Sequence, residues 1–347
     1  MGALRVHAAA DAPPRLQRLT RARSAGRFAE QTWRRTGYDK HDPDTWAEKF
    51  LRMEPSMSVS LQAEAPRAFG AICDLVGGPE RLDVATLTDT MICNLGGRTQ
   101  KKGAGKKGLQ EGEEPEWLSP LETARSGKGG WHKVLCAVAP RLPPTRRRAN
   151  QPCAQDGWHF RHFLDTPDQA LLMTALFSDV IPGAGGTFIA ADSAPRVARW
   201  FAEHPEGAHG FPEAGRVIEE CSDFVELTGN RGDLVLMHPF TLHTVSVNPT
   251  DRPRLITNPA PTLKEPMRFD RVPPERHSVV EQSILNALGR TSFAFEPTEP
   301  RESNFVPAGF QGEGEEELGA LLERLNVTWA AAGSDFRQTL PSQGAKL

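Results

Sequence analysis

Between Ala170 and Thr257 the chain runs through short, largely apolar stretches separated by turn-formers, and this rhythm constrains the fold more than any other feature. Ala170 to Phe177 is apolar and is broken by Ser178-Asp179. Gly183 to Gly186 turns into Thr187-Phe188-Ile189-Ala190, and Gly232-Asp233 opens Leu234-Val235-Leu236-Met237. Leu242 to Val247 and Arg254-Leu255-Ile256-Thr257 follow. Runs this short, bounded by Gly, Pro and Asn, read as strands of a β-sandwich or small barrel. Upstream, Met91-Ile92-Cys93-Asn94-Leu95 is closed by Gly96-Gly97 and reads as another buried strand. Helical spacing occurs at 43–53, at 64–76 until Gly77-Gly78-Pro79, around Val197, Trp200 and Phe201 within 193–221, and at 278–289. The expected class is mainly β with flanking helices.

Residues 1–40 are Arg-rich and poor in acid, the composition of a disordered or targeting tail. One domain is expected over 41–300 and a C-terminal extension over 301–347. Within the domain, 96–130 is rich in Gly, Lys and Glu and reads as a solvated loop. The net charge of −3, and the lack of aromatic residues beside Lys101–Lys107 or Arg146–Arg148, argue against a nucleic-acid partner. No run approaches the roughly 18 apolar residues of a membrane span. The five cysteines form no C-x-x-C pair, which disfavours a disulfide framework and points to a reducing compartment such as the cytoplasm. Ala345-Lys346-Leu347 differs by one residue from the peroxisomal Ser-Lys-Leu address.

Several histidines and carboxylates stand where metal chemistry could use them. A non-haem ferrous site takes two His and one carboxylate on one face and leaves the remaining positions open. His243 sits in an apolar strand, and Arg254 comes eleven residues later on the next one. A tight turn pairing those strands is expected to bring the two side chains to one barrel mouth, where the planar Arg fork suits a carboxylate. His238, five residues before His243, is the competing ligand; on a continuous strand it points to the opposite face. Upstream, Gly129-Gly130-Trp131-His132-Lys133 and Asp156-Gly157-Trp158-His159-Phe160 are two partial copies of one pattern.

The segment His243-Thr244-Val245-Ser246-Val247-Asn248, with Arg252-Pro253-Arg254, resembles the distal-histidine and co-substrate-arginine region of the phytanoyl-CoA dioxygenase family. The similarity also spans Trp158 to Asp192 and extends to about Arg271. It implies a double-stranded β-helix, a cupin-like jelly-roll barrel. It further implies Fe(II) held by His132, Asp156 and His243, with 2-oxoglutarate as co-substrate and its far carboxylate on Arg254. O2 and a small organic substrate complete the reaction, a hydroxylation. Asn94 is expected either to reach the co-substrate pocket or to cap a turn. Thr187, following Gly185-Gly186, is a cofactor-side candidate, or simply the residue after a strand turn. Met173 falls where the family can place an aromatic side chain.

This sequence departs from the family at His-x-Asp-Gly, whose two halves are separated by residues 134–155. That stretch holds Pro140, Pro143, Pro144 and Arg146–Arg148 and has neither helical nor strand period. It begins with Val, whose codons open GT, and ends with Gln, one of whose codons closes AG, so a retained in-frame intron is expected; a native surface insertion is the rival. Closing a loop of that length costs roughly 3 kcal/mol, against on the order of 10 kcal/mol from binding a structural metal. Energy therefore permits His132 and Asp156 to assemble. His159 and the His162-x-x-Asp165 pair are expected to pack or to face substrate. The alternative function is a catalytically silent β-barrel that binds a small acid or a protein partner.

Overall fold

The computed structural model describes residues 17–18, 22–48, 50–53, 56–96, 160–246 and 248–301. In chain order the first half supplies β1 (Gln17–Arg18), α1 (Ala22–Thr36), β2 (Phe50–Arg52), β3 (Ser58–Ser60), α2 (Leu61–Glu64), α3 (Pro66–Val76), β4 (Thr86–Thr88) and β5 (Ile92–Asn94). The second half supplies β6 (Leu172–Leu176), β7 (Thr187–Ala190), α4 (Ala194–Glu203), α5 (Ala214–Glu219), β8 (Phe224–Glu226), β9 (Asp233–Met237), β10 (Leu242–Val245), β11 (Arg254–Thr257) and α6 (Val279–Leu288).

The expected mainly β architecture with flanking helices is present. Every strand pairing is antiparallel: a large sheet in the order β1-β9-β6-β11-β5-β2, a small sheet β10-β7-β8, and a ribbon β3-β4. From β6 to β11 the chain visits large, small, small, large, small, large, so that the two sheets face one another. Among the described residues the strands do not close into a barrel.

Strand alternation gives the large sheet two unlike faces. Cys93, Met173, Ala175, Leu234 and Leu255 join the main core with Phe28 of α1 and Ala68, Ile72 and Val76 of α3. Ile92, Leu176 and Ile256 point the other way and form a small separate cluster with Val180. The small sheet behaves likewise, with Phe188, Ala190 and Leu242 in the main core beside Val197 and Phe201 of α4. Local signals end the helices as expected. Pro66 occupies the first turn of α3 and Gly77 closes it at φ +93°. Ser278 and Glu281 make a reciprocal capping box at the start of α6.

Two expectations are corrected. The N-terminal tail does not extend to residue 40: from Ala22 the chain is helical, and Ala25, Phe28, Ala29 and Trp33 are buried at helical spacing. Phe28 packs on Phe177 with ring centroids 5.2 Å apart. Asp89 holds this helix from the other side, accepting from Arg35 at 3.0 Å. The helix expected over 43–53 is instead a 3-10 turn at Pro43–Thr45 followed by β2, because the β5 edge offers Phe50–Arg52 three partners. Tertiary pairing overrides a short helical period. The bulk of the 96–130 loop, the 134–155 insertion with His132 and Asp156 beside it, and residues 302–347 with Ala345-Lys346-Leu347 lie outside the described residues. Among the described residues Cys73, Cys93 and Cys221 are buried free thiols, and no helix is long and apolar enough to cross a membrane.

Candidate active site

Leu242 and Thr244 of β10 turn toward the small-sheet core, so His243 and Val245 turn toward the large sheet. Across the ladder His243 opposes Ile189 and Val245 opposes Thr187, which places Thr187 on the same face as His243. The two line one small cavity of about 10 Å³ with Leu172 and Thr174 of β6, Met237 of β9 and Ile256 of β11. That is roughly the room of a single water. Met237 is an unbranched thioether on the cavity face, able to give way to a larger guest, whereas the Met173 side chain joins the main core on the other face of the sheet.

His243 is 3% exposed, with its Nδ1 3.1 Å from the Thr241 carbonyl. A carbonyl can only accept, so Nδ1 is the donor in this contact, and Nε2 is the ring nitrogen turned away from it. Metal-binding histidines use this arrangement.

Arg254 lies on β11 with the same parity as Ile256 and therefore on the cavity-side face. It is 1% exposed, and among the described residues Nε, Nη1 and Nη2 are all buried without a hydrogen-bond partner. Burial pulls the guanidinium down to about 10; Cys93 opposes the shift and the charge of Arg52 adds to it. At neutral pH it is still a cation. An unpaired buried charge is among the most costly features a fold can carry, so this side chain is built to meet an anion.

The route from His243 to Arg254 differs from the expected one. β10 and β11 belong to different sheets and are not paired, so no ladder joins the two side chains; each stands on the face of its sheet that lines the cavity. The connecting loop is clamped by Asn248, whose Nδ2 donates to Asn94 O at 3.0 Å and to Arg252 O at 2.8 Å. Asn94 is the register partner of Arg254 and donates from Nδ2 to Ser246 O at 2.9 Å. It thus braces the segment that carries His243 and caps no turn of its own strand.

His238 is not on the strand of His243. It stands in the turn between β9 and β10, where its Nδ1 accepts from Phe240 N at 3.1 Å. Gly185-Gly186 belongs to a strand turn occupied by a carboxylate of the chain itself: Gly183 N and Gly186 N donate to Glu226 at 2.9 and 3.2 Å. A phosphate has no place there. His162 packs its ring against Phe160 at 4.3 Å and is buried, as expected, and Asp165 pairs with Arg301 at 2.5 Å. His159 lies outside the described residues, as do His132 and Asp156. Among the described residues no three His, Cys, Asp or Glu side chains come together to hold a metal. Neither Glu226, which holds the glycine turn, nor Arg52, whose charge acts on Arg254, is singled out by the sequence, which offers Asn248 only within the family-like segment. The alternation of Phe50 and Arg52 about Leu51 is the strand signal that a helical reading of 43–53 conceals.

No protein-family model and no curated protein matches the sequence. Among solved structures the chain is similar to the non-heme monooxygenase ThoJ in its nickel complex, at 11% identity and TM-score 0.36, covering 91% of this chain and 94% of that one. It is similar to the epimerase SnoN from nogalamycin biosynthesis, in complex with Fe3+, alpha ketoglutarate and nogalamycin RO. That match has 12% identity, TM-score 0.36 and coverage of 84% and 90%. The non-heme alpha ketoglutarate dependent carbocyclase SnoK follows at 12% identity and TM-score 0.33, covering 80% and 84%. Likenesses this distant leave the site to be read from the chain's own residues.

Proposed function

We propose that this protein is an Fe(II)- and 2-oxoglutarate-dependent oxygenase of the phytanoyl-CoA dioxygenase type, built on a double-stranded β-helix and acting on a small organic molecule. The observation that carries the proposal is the fully buried Arg254 guanidinium, unpaired at all three nitrogens, on the face that lines the His243 cavity. A planar fork with no internal partner suits a carboxylate, which it can grip with two parallel bonds. His243 contributes Nε2 as a metal ligand, and the sequence offers His132 and Asp156 as the other two. With its metal bound, such a site supplies the oxygen activation that aliphatic C–H hydroxylation needs. The chain's own residues do the positioning: Arg254 fixes the distal carboxylate, Thr241 holds the imidazole tautomer, and Asn94 and Asn248 keep the two sheets in register. The 10 Å³ cavity must widen to admit a five-carbon diacid, and Met237 is the side chain that yields.

The test is anaerobic addition of Fe(II) and 2-oxoglutarate, read by the metal-to-ligand charge-transfer absorbance, on the full chain, on His243→Ala and on a chain lacking 134–155. A band in the full chain that His243→Ala abolishes supports the proposal. A band only in the shortened chain makes 134–155 an interruption of a real oxygenase. If neither chain gives a band while dicarboxylate binding persists, the silent acid-binding barrel is the correct reading.

A further inference from the structure

Arg254 is not the only unpaired cation on its face of the large sheet. Strand β5 lies between β11 and β2, with Arg254 opposite Asn94 and Phe50 opposite Asn94 on the other side. One row along, Ile256 opposes Ile92 and Ile92 opposes Arg52. Paired residues of antiparallel strands share a face, and so do residues two apart. Arg254, Asn94, Ile92 and Arg52 therefore all project to the same side. Two strand spacings and one row separate the two arginines, about 12 Å between their Cβ atoms. Both side chains are long enough for the guanidinium groups to converge over β5, above the short side chains of Asn94 and Ile92.

The condition of Arg52 is as informative as its position. Its Nη1 is buried with no hydrogen-bond partner, although the residue as a whole is only partly buried. It thus begins at the solvent rim of the edge strand and ends inside. Its charge reaches Arg254, on which it acts as a like charge. Two cations placed together without a carboxylate between them repel, and a fold retains such a pair where a bound anion reverses the sign. Asn94 cannot serve as that anion, because its side chain is neutral and its amide nitrogen is given to Ser246.

We infer that Arg52 and Arg254 form a two-guanidinium seat that shares one carboxylate of the bound acid, with Arg52 setting the preference for a dianionic over a monoanionic 2-oxo acid. This rests on the reading of Arg254 as the co-substrate's anchor. The segment 43–53 otherwise has no part in the site, so the inference assigns a binding role to the edge strand.

Calorimetric titration of the full chain, anaerobic and with Fe(II), distinguishes the possibilities. The probes are 2-oxoglutarate and 2-oxopentanoate, which share a chain length but differ in the distal carboxylate. Wild type is expected to prefer 2-oxoglutarate. Arg52→Met should weaken 2-oxoglutarate by roughly tenfold, the effect of losing one charge-assisted contact, and leave 2-oxopentanoate unchanged. Arg52→Lys, which keeps the charge without the fork, should recover part of the loss and guards against misfolding of the Met variant. If Arg254→Met abolishes the preference while Arg52→Met and Arg52→Lys bind as wild type does, Arg254 acts alone and the inference is overturned. If wild type does not discriminate between the acids, the reading of Arg254 fails and the shared seat fails with it.

Discussion

Replacing Arg254 by Met should stabilise the ligand-free protein and remove its response to 2-oxoglutarate. Burial holds the guanidinium well below its ordinary value, at about 10, and at about 1.4 kcal/mol per tenfold this amounts to roughly 3 kcal/mol against carrying the cation in the folded chain. The sign follows from linkage. The unfolded chain binds this proton more tightly, so the penalty is complete at every pH below about 10 and lifts only above it. Between pH 6 and 9 the effect is therefore constant. Met fills much of the same volume without a charge, and exchanges of this kind are neutral or stabilising by about 1–4 kcal/mol. At roughly 2 °C per kcal/mol for a chain of this size, the variant should melt about 6 °C above wild type. Adding 2-oxoglutarate at about a hundred times its Kd should raise wild type by about 2.7 kcal/mol and the variant by almost nothing. Differential scanning calorimetry with and without ligand reads both effects. A variant that melts well below wild type in the absence of ligand would refute the reasoning, because it would mean that Arg254 already has a partner within the chain.

Two further outcomes test the frame around the site. Burial opposes ionisation of Glu281, but Arg81 and Arg271, with the Arg268 and Ser278 amides, outweigh it and hold the carboxyl at about 2. Its contribution is therefore complete above the ordinary carboxylate range and lost as pH falls toward 2. Glu281→Gln should cost about 3 kcal/mol at pH 7 and flatten the acid limb of the stability curve, as read by urea melts from pH 7 to 2. Asn248→Ala removes the donor to Asn94 O and Arg252 O and should cost about 2 kcal/mol. It should also weaken 2-oxoglutarate severalfold, since the loop that leads from His243 to Arg254 loses its clamp on Asn94 and Arg252. Titration calorimetry showing full affinity would detach the loop clamp from the site.

Much of this architecture was legible one element at a time. The alternation in β6, β9, β10 and β11, the Pro66 start and Gly77 stop of α3, and the capping box of α6 are short-range signals, decided within a few residues. The helix at Ala22–Thr36 was hidden by its composition, because its arginines look like a tail while Ala25, Phe28 and Trp33 matter only once a sheet covers them. Phe50–Arg52 was misread for the same reason: a three-residue strand exists only by virtue of the β5 edge it joins.

The sequence by itself determined which residues are candidates for the proposed chemistry, since an imidazole at 243 and a guanidinium at 254 are properties of the chain. It also determined which face of each strand they take, because side chains alternate with a period of two. Tertiary structure alone decided that His243 and Arg254 stand on different sheets, that Arg254 has no hydrogen-bond partner among the described residues, and that Arg52 shares its face. The reason is physical. Alternation is local, whereas pairing, burial and the absence of a counter-charge depend on segments far apart in the chain that meet only when the hydrophobic core brings the sheets together.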